Sequence, residues 1–293
     1  MLLSPRYTGP TVVTIEGDPR DVAAPLVRQR TRLAEIAADF TDDEWSAPSR
    51  CAAWSVRDVI AHLAGINPLY VMSAVAGLAG EPTRLMPYFD PAVSPLRMVD
   101  DIRTLSSAEV FELLISSNAE LIATVEALDE RGWSTVAESP LGEVPIRLLM
   151  SHALWDSWVH ERDILIPLGI EPSLIADEVV ASLRYVSALT QGFAFGAGME
   201  CRGKFGIEAT DPDFHCVMAV DDAVTVRIEQ PDDSMPVLRG PAVMLAEALS
   251  TRLPLPAGAP PEWHRLLGGL TYTWDLVEDP ERSQDRCPSL GLR

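Results

Sequence analysis

The spacing of apolar residues over the first two thirds of the chain predicts a bundle of long helices. Between residues 22 and 40, apolar side chains recur at steps of three and four, which is the period of a helix with one buried stripe. Ser55, with an acid three residues later, matches a capping box that opens a second helix. The remaining helices are predicted from 106 or 107 to about 131, from 145 to about 166, and from 174 to 198.

Beyond about residue 200 the pattern changes to the alternation typical of strands. Residues 204–210 and 216–230 alternate in this way, and a short amphipathic helix is predicted over 241–252. We therefore predict a division near residue 200. The expected parts are an irregular lead-in (1–20), a helical bundle (21–200), a small α+β domain (201–278) and a flexible tail (279–293).

Composition narrows the possible partners of the 293-residue chain. Its 23 basic residues are outnumbered by 43 acidic ones, giving a formal charge of −20, which disfavours nucleic acid and anionic lipid as partners.

Residues 63–80 lack charge over a length that could span a membrane, but Asn67, Pro68 and Tyr70 interrupt them. We interpret this stretch as a buried bundle helix. No apolar leader and no C-x-x-C pair is present, so we expect a cytoplasmic protein with reduced thiols.

Three side chains of the fourth predicted helix lie on one face. His152, Asp156 and His160 are spaced by four residues, so each lies only about 40° around the helix from the last. An Asp-x-x-x-His pair places a carboxylate and an imidazole within reach of a single ion. The pattern also has simpler explanations: a solvated helix face, or an aspartate that only orients one of the histidines.

His62 is a fourth candidate, because it points toward the apolar side of the second helix. Burying an unpaired imidazole costs about 1–3 kcal/mol, so a core-facing histidine needs a partner. A metal ion shared with Asp156 and His160 would satisfy all three groups. Two histidines and one carboxylate with an open position are typical of a catalytic metal site rather than a structural one.

Two motifs carry a family resemblance. Residues 51–63, CAAWSVRDVIAHL, are similar to the C-x-x-W-x-V-x-D-V-x-x-H-L signature of the mycothiol-dependent maleylpyruvate isomerase family. Residues 155–164, followed by Leu168 and Gly169, resemble the second motif of that family. The resemblance covers about residues 22–275. It implies a mainly α chain: a DinB-like, metal-binding four-helix bundle followed by a small α+β domain similar to sterol-carrier proteins.

The resemblance also implies a ligand set, which falls on His62, Asp156 and His160. The isomerase has glutamate at the acid position, so Asp156 is a departure whose shorter reach can alter metal preference. His152 is then expected to be an extra ligand, a group that supports a ligand, or a proton shuttle. Asp163, three residues past His160, is a candidate acceptor for an imidazole N–H.

The implied chemistry is metal activation of a thiol, with mycothiol as cosubstrate and a small electrophile as substrate. In the isomerase reaction the thiol leaves again, whereas in S-transferase relatives it stays on the product. An arginine from the second domain is expected to hold a carboxylate. Arg252 is the first candidate for a catalytic contact and Arg239 the second, as a cofactor-binding residue, although either could be a surface cation.

Other assignments are weaker. Trp158 is a candidate for lining the cofactor pocket, although tryptophans at helical spacing are more often core residues. Cys51 is interpreted as a packed structural residue. The ligand types favour zinc, but nickel, iron or manganese would also be held. Lys204 is the only lysine, and this arginine-rich composition fits an actinobacterial source. We expect a monomer or homodimer.

Two other functions compete with the thiol chemistry. A metal-dependent hydrolase, lyase or cyclase of secondary metabolism could use the same scaffold. A non-catalytic metal- or ligand-binding regulatory protein could also retain it, because a fold does not determine a function.

Overall fold

The computed structural model describes residues 5–18, 20–52, 54–88, 93–196 and 201–274. The helices are α1 (Ala23–Ala38), α2 (Asp42–Ser46), α3 (Val56–Leu78), α4 (Ser94–Asp101), α5 (Ser107–Glu126), α6 (Glu130–Ser134), α7 (Ile146–Leu165), α8 (Ala176–Gly196), α9 (Ala242–Leu249) and α10 (Pro261–Trp274). The strands are β1 (Val13–Ile15), β2 (Val136–Ser139), β3 (Gly142–Pro145), β4 (Gly203–Thr210), β5 (Phe214–Val220), β6 (Val224–Arg227) and β7 (Val237–Pro241). A helical bundle is thus followed by a small α+β region, which confirms the predicted fold class.

The bundle is formed by four long helices, α1, α3, α5 and α7. Helix α3 packs against both α5 and α7, and α1 packs against the same two helices. Ser55 and Ser106 each accept a hydrogen bond from the backbone three residues later, and the acid at that position bonds back to the serine N–H. These two capping boxes set the starts of α3 and α5 where the sequence pattern predicts them.

The connection between α5 and α7 differs from the prediction. The third predicted helix was expected to reach about residue 131, but α5 ends at Glu126 and the short α6 follows. A hairpin of β2 and β3 then leads into α7, with Pro145 as the residue before the helix rather than its first residue. Gly142 starts β3 with φ +101°, and the backbone of Arg6 lies so close that a Cβ there would collide with it.

The sheet of the second region has the strand order β1-β6-β5-β4-β7. Strand β1 pairs in parallel with β6, with Val13 opposite Val224. The lead-in predicted as irregular over residues 1–20 therefore contains a strand, and that strand completes a sheet formed mainly by residues beyond 200. The alternating run at 216–230 is divided into β5 and β6 by a tight turn, and Ile228 lies exposed beyond the end of β6.

Helix α8 lies at the junction of the two parts. It packs against α7 of the bundle and also against α9, α10 and the sheet. Its buried residues Leu183 and Leu189 belong to the same apolar cluster as Met218 and Val226 of the strands. The division predicted near residue 200 thus follows α8 in the chain, but one continuous core crosses it. The tail predicted over residues 279–293 lies outside the described residues.

Helix α3 is long and apolar enough to cross a membrane by length and composition. However, 56% of its most apolar window is buried inside the protein. Core helices of soluble proteins pass the same test, so this feature is weak evidence for a membrane span. Its packing between α5 and α7 matches the buried bundle helix predicted from the sequence.

Candidate metal centre

Helices α3 and α7 bring three potential metal ligands close together. His62 lies on α3, and Asp156 and His160 lie on α7. Nε2 of His62 lies 3.6 Å from Oδ2 of Asp156, and Nε2 of His160 lies 3.6 Å from Oδ1 of the same carboxylate. One potential ligand atom from each residue falls within 4.8 Å of the others. Two distant parts of the chain are thus brought to one point, which we call the triad.

The geometry of the triad fits a divalent cation. At 3.6 Å the two N···O contacts are too long for hydrogen bonds. Ligands at about 2.0–2.2 Å from a tetrahedral zinc ion are themselves about 3.4 Å apart, which is close to this spacing. Oδ2 of Asp156 is buried without a hydrogen-bond partner among the described residues, and such an orphaned carboxylate oxygen is satisfied by a cation. The Asp156 side chain stays 14% exposed, so a further ligand could approach from solvent.

The charge states of His62 and Asp156 suit metal binding. Burial lowers the pKa of His62, and this effect exceeds the opposing attraction of Asp156. Burial alone would raise the pKa of Asp156, but its contact with His62 and the nearby imidazoles hold that pKa well below its usual range. The neutral imidazole and the ionised carboxylate are the forms that coordinate metals.

His160 is oriented by a second carboxylate. Its Nδ1 atom lies 3.0 Å from Oδ2 of Asp163, which is fully buried. Burial opposes protonation of His160, but the contacts with Asp163 and Cys51 outweigh it and raise the pKa of His160 to about 10. A cation at Nε2 would take the place of the proton there, while Nδ1–H still donates to Asp163. The sequence predicted Asp163 for this role.

Arg252 lies beside the triad and is linked to His160 through Asp163. Its Nε donates to Oδ1 of Asp163 at 2.9 Å and its Nη2 donates to Oδ2 at 2.8 Å. Arg50 donates to Oδ1 of the same carboxylate at 3.0 Å. The Arg252 side chain is 24% exposed. The predicted carboxylate-binding arginine therefore lies beside His160, with one edge of its guanidinium occupied by a protein carboxylate.

Two predicted cofactor-binding residues are not brought to the triad. Arg239 is over half exposed on β7, where it forms an ion pair with Glu208 of β4. Trp158 projects about 200° around α7 from Asp156 and is fully buried in the core shared with α8. The guanidinium of Arg162 covers its ring at 5.1 Å from the centroid. The cofactor roles expected for Arg239 and Trp158 therefore have no support from their positions.

His152 lies one turn before Asp156, but it is not among the described residues whose potential ligand atoms converge with those of the triad. Its Nδ1 atom is 2.9 Å from the hydroxyl of Tyr185, and its ring also packs against Tyr70 and Trp155. Burial lowers the pKa of His152 to about 4, so the ring is neutral near pH 7. This placement does not favour the expectation that it is an extra metal ligand.

His152 also lines a small cavity. The cavity has a volume of about 40 Å³ and lies between α3, α7, the hairpin and the segment at residues 83–86. Tyr70 and His152 form part of its wall, and the buried carboxylate of Glu138 forms another part. Glu138 accepts hydrogen bonds from the backbone N–H groups of Leu85 and Met86, which closes that side of the cavity.

Two residues near the triad were not assigned to it from the sequence. Cys51 was interpreted as structural, but its Sγ lies 3.3 Å from Oδ2 of Asp163 and 3.8 Å from Nδ1 of His160. Arg30 of α1 is fully buried, and its guanidinium contacts α7 at Ala153. A signal for Arg30 was present, because it occupies the apolar stripe of its helix, where a cation is unexpected.

The fold and the triad together define a helical bundle with a candidate metal centre, joined to an α+β region. Residues 26–165 match the family model of the mycothiol maleylpyruvate isomerase N-terminal domain. The bundle is therefore similar to that domain family over these residues, and the resemblance predicted from the sequence is confirmed.

Solved structures agree with this assignment at the level of the fold. Crystal structures of the mycothiol-dependent maleylpyruvate isomerase and of a histidine-to-alanine mutant of it are both similar to this chain. Each is 16% identical in sequence, with a TM-score of 0.59, over 83% of this chain and 96% of the other. A comparison with curated proteins found no match.

Proposed function

We propose that this protein is a metal-dependent mycothiol S-transferase or isomerase that acts on a small electrophile. The observation that carries this proposal is the triad itself: two imidazoles and one orphaned carboxylate oxygen converge in a partly open site. The match of residues 26–165 to the family model of the mycothiol maleylpyruvate isomerase N-terminal domain supports the choice of thiol.

His62, Asp156 and His160 would hold the metal, and their ligand types favour zinc. When bound, a divalent cation supplies the positive charge that favours the thiolate form of a thiol placed beside it. The protein's own contribution is to keep the three ligands in place. Asp163 does this for His160, because a hydrogen bond to Nδ1 fixes both the tautomer and the ring orientation.

The proposed reaction begins with attack of the thiolate on an electrophilic carbon of a conjugated substrate. A C–S bond forms, and the π electron pair moves onto the conjugated carbonyl oxygen. In an isomerase, rotation about the new single bond follows, and return of that pair expels the thiolate. In a transferase, a proton is taken up at carbon and the C–S bond remains.

Arg252 is proposed to bind a carboxylate of the substrate. It is partly exposed beside the triad, and its Nη1 is not engaged by Asp163 but contacts the carbonyl of Ser250. A charged hydrogen bond from this edge would orient an acidic substrate toward the triad. His152, which is neutral and hydrogen-bonded to Tyr185, is proposed to shape the inner wall of the site and to pass a proton.

The test combines metal analysis of the purified protein with mass spectrometry of mycothiol adducts in an extract of cells that produce mycothiol. Wild type is expected to carry stoichiometric metal and to bind mycothiol, consuming it only if the protein is a transferase, whereas His160→Ala and His62→Ala should lose both the metal and the mycothiol binding. His264→Ala is a matched control, because His264 lies exposed on α10, and it should behave as wild type.

Three outcomes would contradict the proposal in different ways. If the protein carries no metal and His62→Ala changes nothing, the catalytic interpretation of the triad is wrong. If metal is bound but mycothiol is neither bound nor consumed, a hydrolase, lyase or cyclase is favoured. If His152 fills a fourth ligand position, a regulatory or structural metal is favoured.

A further inference from the structure

The exposed side of helix α3 carries no polar residue. Its four exposed residues are Pro68, Met72, Val75 and Leu78, and all of them are apolar. We call these four residues the α3 face. A helix at the surface of a globular protein normally turns charged and polar side chains toward solvent. In α3 the polar side chains are buried or half-buried instead, among them His62 of the triad.

The α3 face is uncharged along its whole length, and apolar surface continues beyond it. No Asp, Glu, Lys or Arg occurs between Asp58 and Glu81. Val136 of β2 adjoins the face, since its carbonyl lies so close to Gly77 that a Cβ there would collide with it, and the Val136 side chain is exposed as well. Contiguous exposed apolar surface of this kind is characteristic of contact with another molecule.

The two ends of the α3 face carry charges of opposite sign. After the C-terminal end of the helix, Glu81 is exposed, and its N–H donates to the carbonyl of Ala76, which holds it beside the face. At the other end α4 packs on the helix, with Met98 so near that a Cβ at Gly65 would lie 3.6 Å from its Cε. The neighbouring Arg97 is exposed. Among the described residues, neither Glu81 nor Arg97 has an ion-pair partner.

We propose that a second copy of this chain docks on the α3 face, so that two α3 helices pack antiparallel about a two-fold axis between Met72 and Val75. At 1.5 Å per residue, Glu81 then lies about 11 Å to one side of the two-fold axis and Gly65 about 13 Å to the other. The rotation therefore brings Glu81 of one protomer toward Arg97 of its partner. Since a two-fold interface repeats every contact, this pair of opposite charges forms twice.

Charge selects a second copy as the occupant of the α3 face. With a formal charge of −20, two chains repel each other over most of their surface, whereas this face brings no like charges together. The opposite charges at its two ends complement each other in a symmetric pair. An anionic membrane would repel the acidic chain. The inference does not depend on the metal centre, because His62 lies on the buried side of the same helix.

Sedimentation equilibrium of the full chain tests the proposal. We expect wild type to sediment with twice the mass of one chain. Val75→Asp places two carboxylates near the two-fold axis and should raise the dissociation constant of the dimer by about thirtyfold or more. Ile115→Asp is the matched control, since Ile115 is an exposed apolar residue of α5 outside the α3 face, and it should leave this constant unchanged.

A charge exchange distinguishes a second copy from any other occupant. Glu81→Arg alone and Arg97→Glu alone should each weaken the dimer severalfold, because each brings like charges together across the interface. The double variant restores both pairs with the signs reversed, so its dissociation constant should return close to that of wild type. Both positions are exposed, so these variants test the dimer without disturbing the core.

Wild type that stays monomeric at its highest soluble concentration would overturn the proposal, as would a dimer that Val75→Asp leaves unchanged. Failure of the double variant to recover would also overturn it, because the pairing that selects a second copy would be absent. Flotation of monomeric wild type with phosphatidylglycerol vesicles would overturn it too, since the α3 face would then bind a membrane.

Discussion

The Nδ1 atom of His160 lies 3.0 Å from Oδ2 of Asp163, and this contact fixes the ring on the side opposite the triad. Nε2 of the same ring faces Asp156 at 3.6 Å. Asp163 is fully buried and also binds the guanidinium groups of Arg50 and Arg252. One buried carboxylate thus joins an imidazole of the candidate metal centre to the two arginines beside it.

Replacing Asp163 by asparagine should weaken metal binding without removing a ligand. Loss of a carboxylate that orients a metal-binding imidazole typically lowers metal affinity by about 10–100-fold. We expect a decrease of this size for zinc in competition titrations with a chromophoric chelator. Asp177→Asn is the control, since Asp177 is an exposed partner of Arg28 outside the triad. Equal zinc affinities of wild type and Asp163→Asn would show that Asp163 does not support His160.

A second prediction concerns the ion pairs between α1 and α8. Glu178 is fully buried and accepts hydrogen bonds from Arg28 at 2.8 Å and from Arg32 at 2.7 Å. Glu178→Ala leaves these cations without that partner, so the free energy of unfolding should fall by about 3 kcal/mol. Asp177→Ala removes an exposed partner of the same Arg28 and should cost less than about 1 kcal/mol. Urea denaturation measures both, and similar losses for the two variants would contradict the prediction.

Local patterns explain why the helices could be predicted. The capping boxes at Ser55 and Ser106 act within four residues, and the apolar stripes are set by the helical period. Strand β1 could not be predicted in this way, because it is three residues long and forms only by pairing with β6, more than 200 residues later. The β2–β3 hairpin was missed for a similar reason: its two strands are short and follow the small helix α6.

The triad was accessible from sequence because Asp156 and His160 are one helical turn apart and a motif located His62. Residues that reach the site across the fold were harder to assign. The Cys51 contact with Asp163 spans more than 100 positions of the chain. Arg239 was expected at the site only as an arginine of the second domain, and on β7 it pairs instead with Glu208 of the neighbouring strand. The spacing of residues along a helix predicts which side chains share a face, but it does not predict which residues of other elements that face contacts.

The pairing of β1 with β6 gives a third prediction. Val13 is 1% exposed and packs into the core, whereas Thr14 on the same strand faces solvent. Val13→Asp buries an unpaired carboxylate and should destabilise the protein by about 3 kcal/mol. Thr14→Asp should have little effect. Hydrogen exchange followed by mass spectrometry should show faster exchange in β6 for Val13→Asp only, and unchanged β6 protection would contradict the pairing.

The buried imidazole of His152 predicts how stability depends on pH. Burial lowers its pKa from 6.5 to about 4 in the folded protein, while the unfolded chain keeps the higher value. Between these two values the unfolded state binds the extra proton, so the free energy of unfolding falls as the pH falls. The loss attributable to His152 is about 3 kcal/mol between pH 6.5 and pH 4, with no further loss from this group at lower pH.

Comparison with His152→Gln isolates this contribution from that of other titrating groups, including His62. The free energy of unfolding of wild type should fall more steeply over this pH interval than that of His152→Gln, as measured by urea denaturation at several pH values. His215→Gln is the control, because His215 is exposed on β5, and it should keep the wild-type slope. Parallel curves for wild type and His152→Gln would mean that the folded protein accommodates a charged His152, since a neutral buried ring requires the steeper dependence.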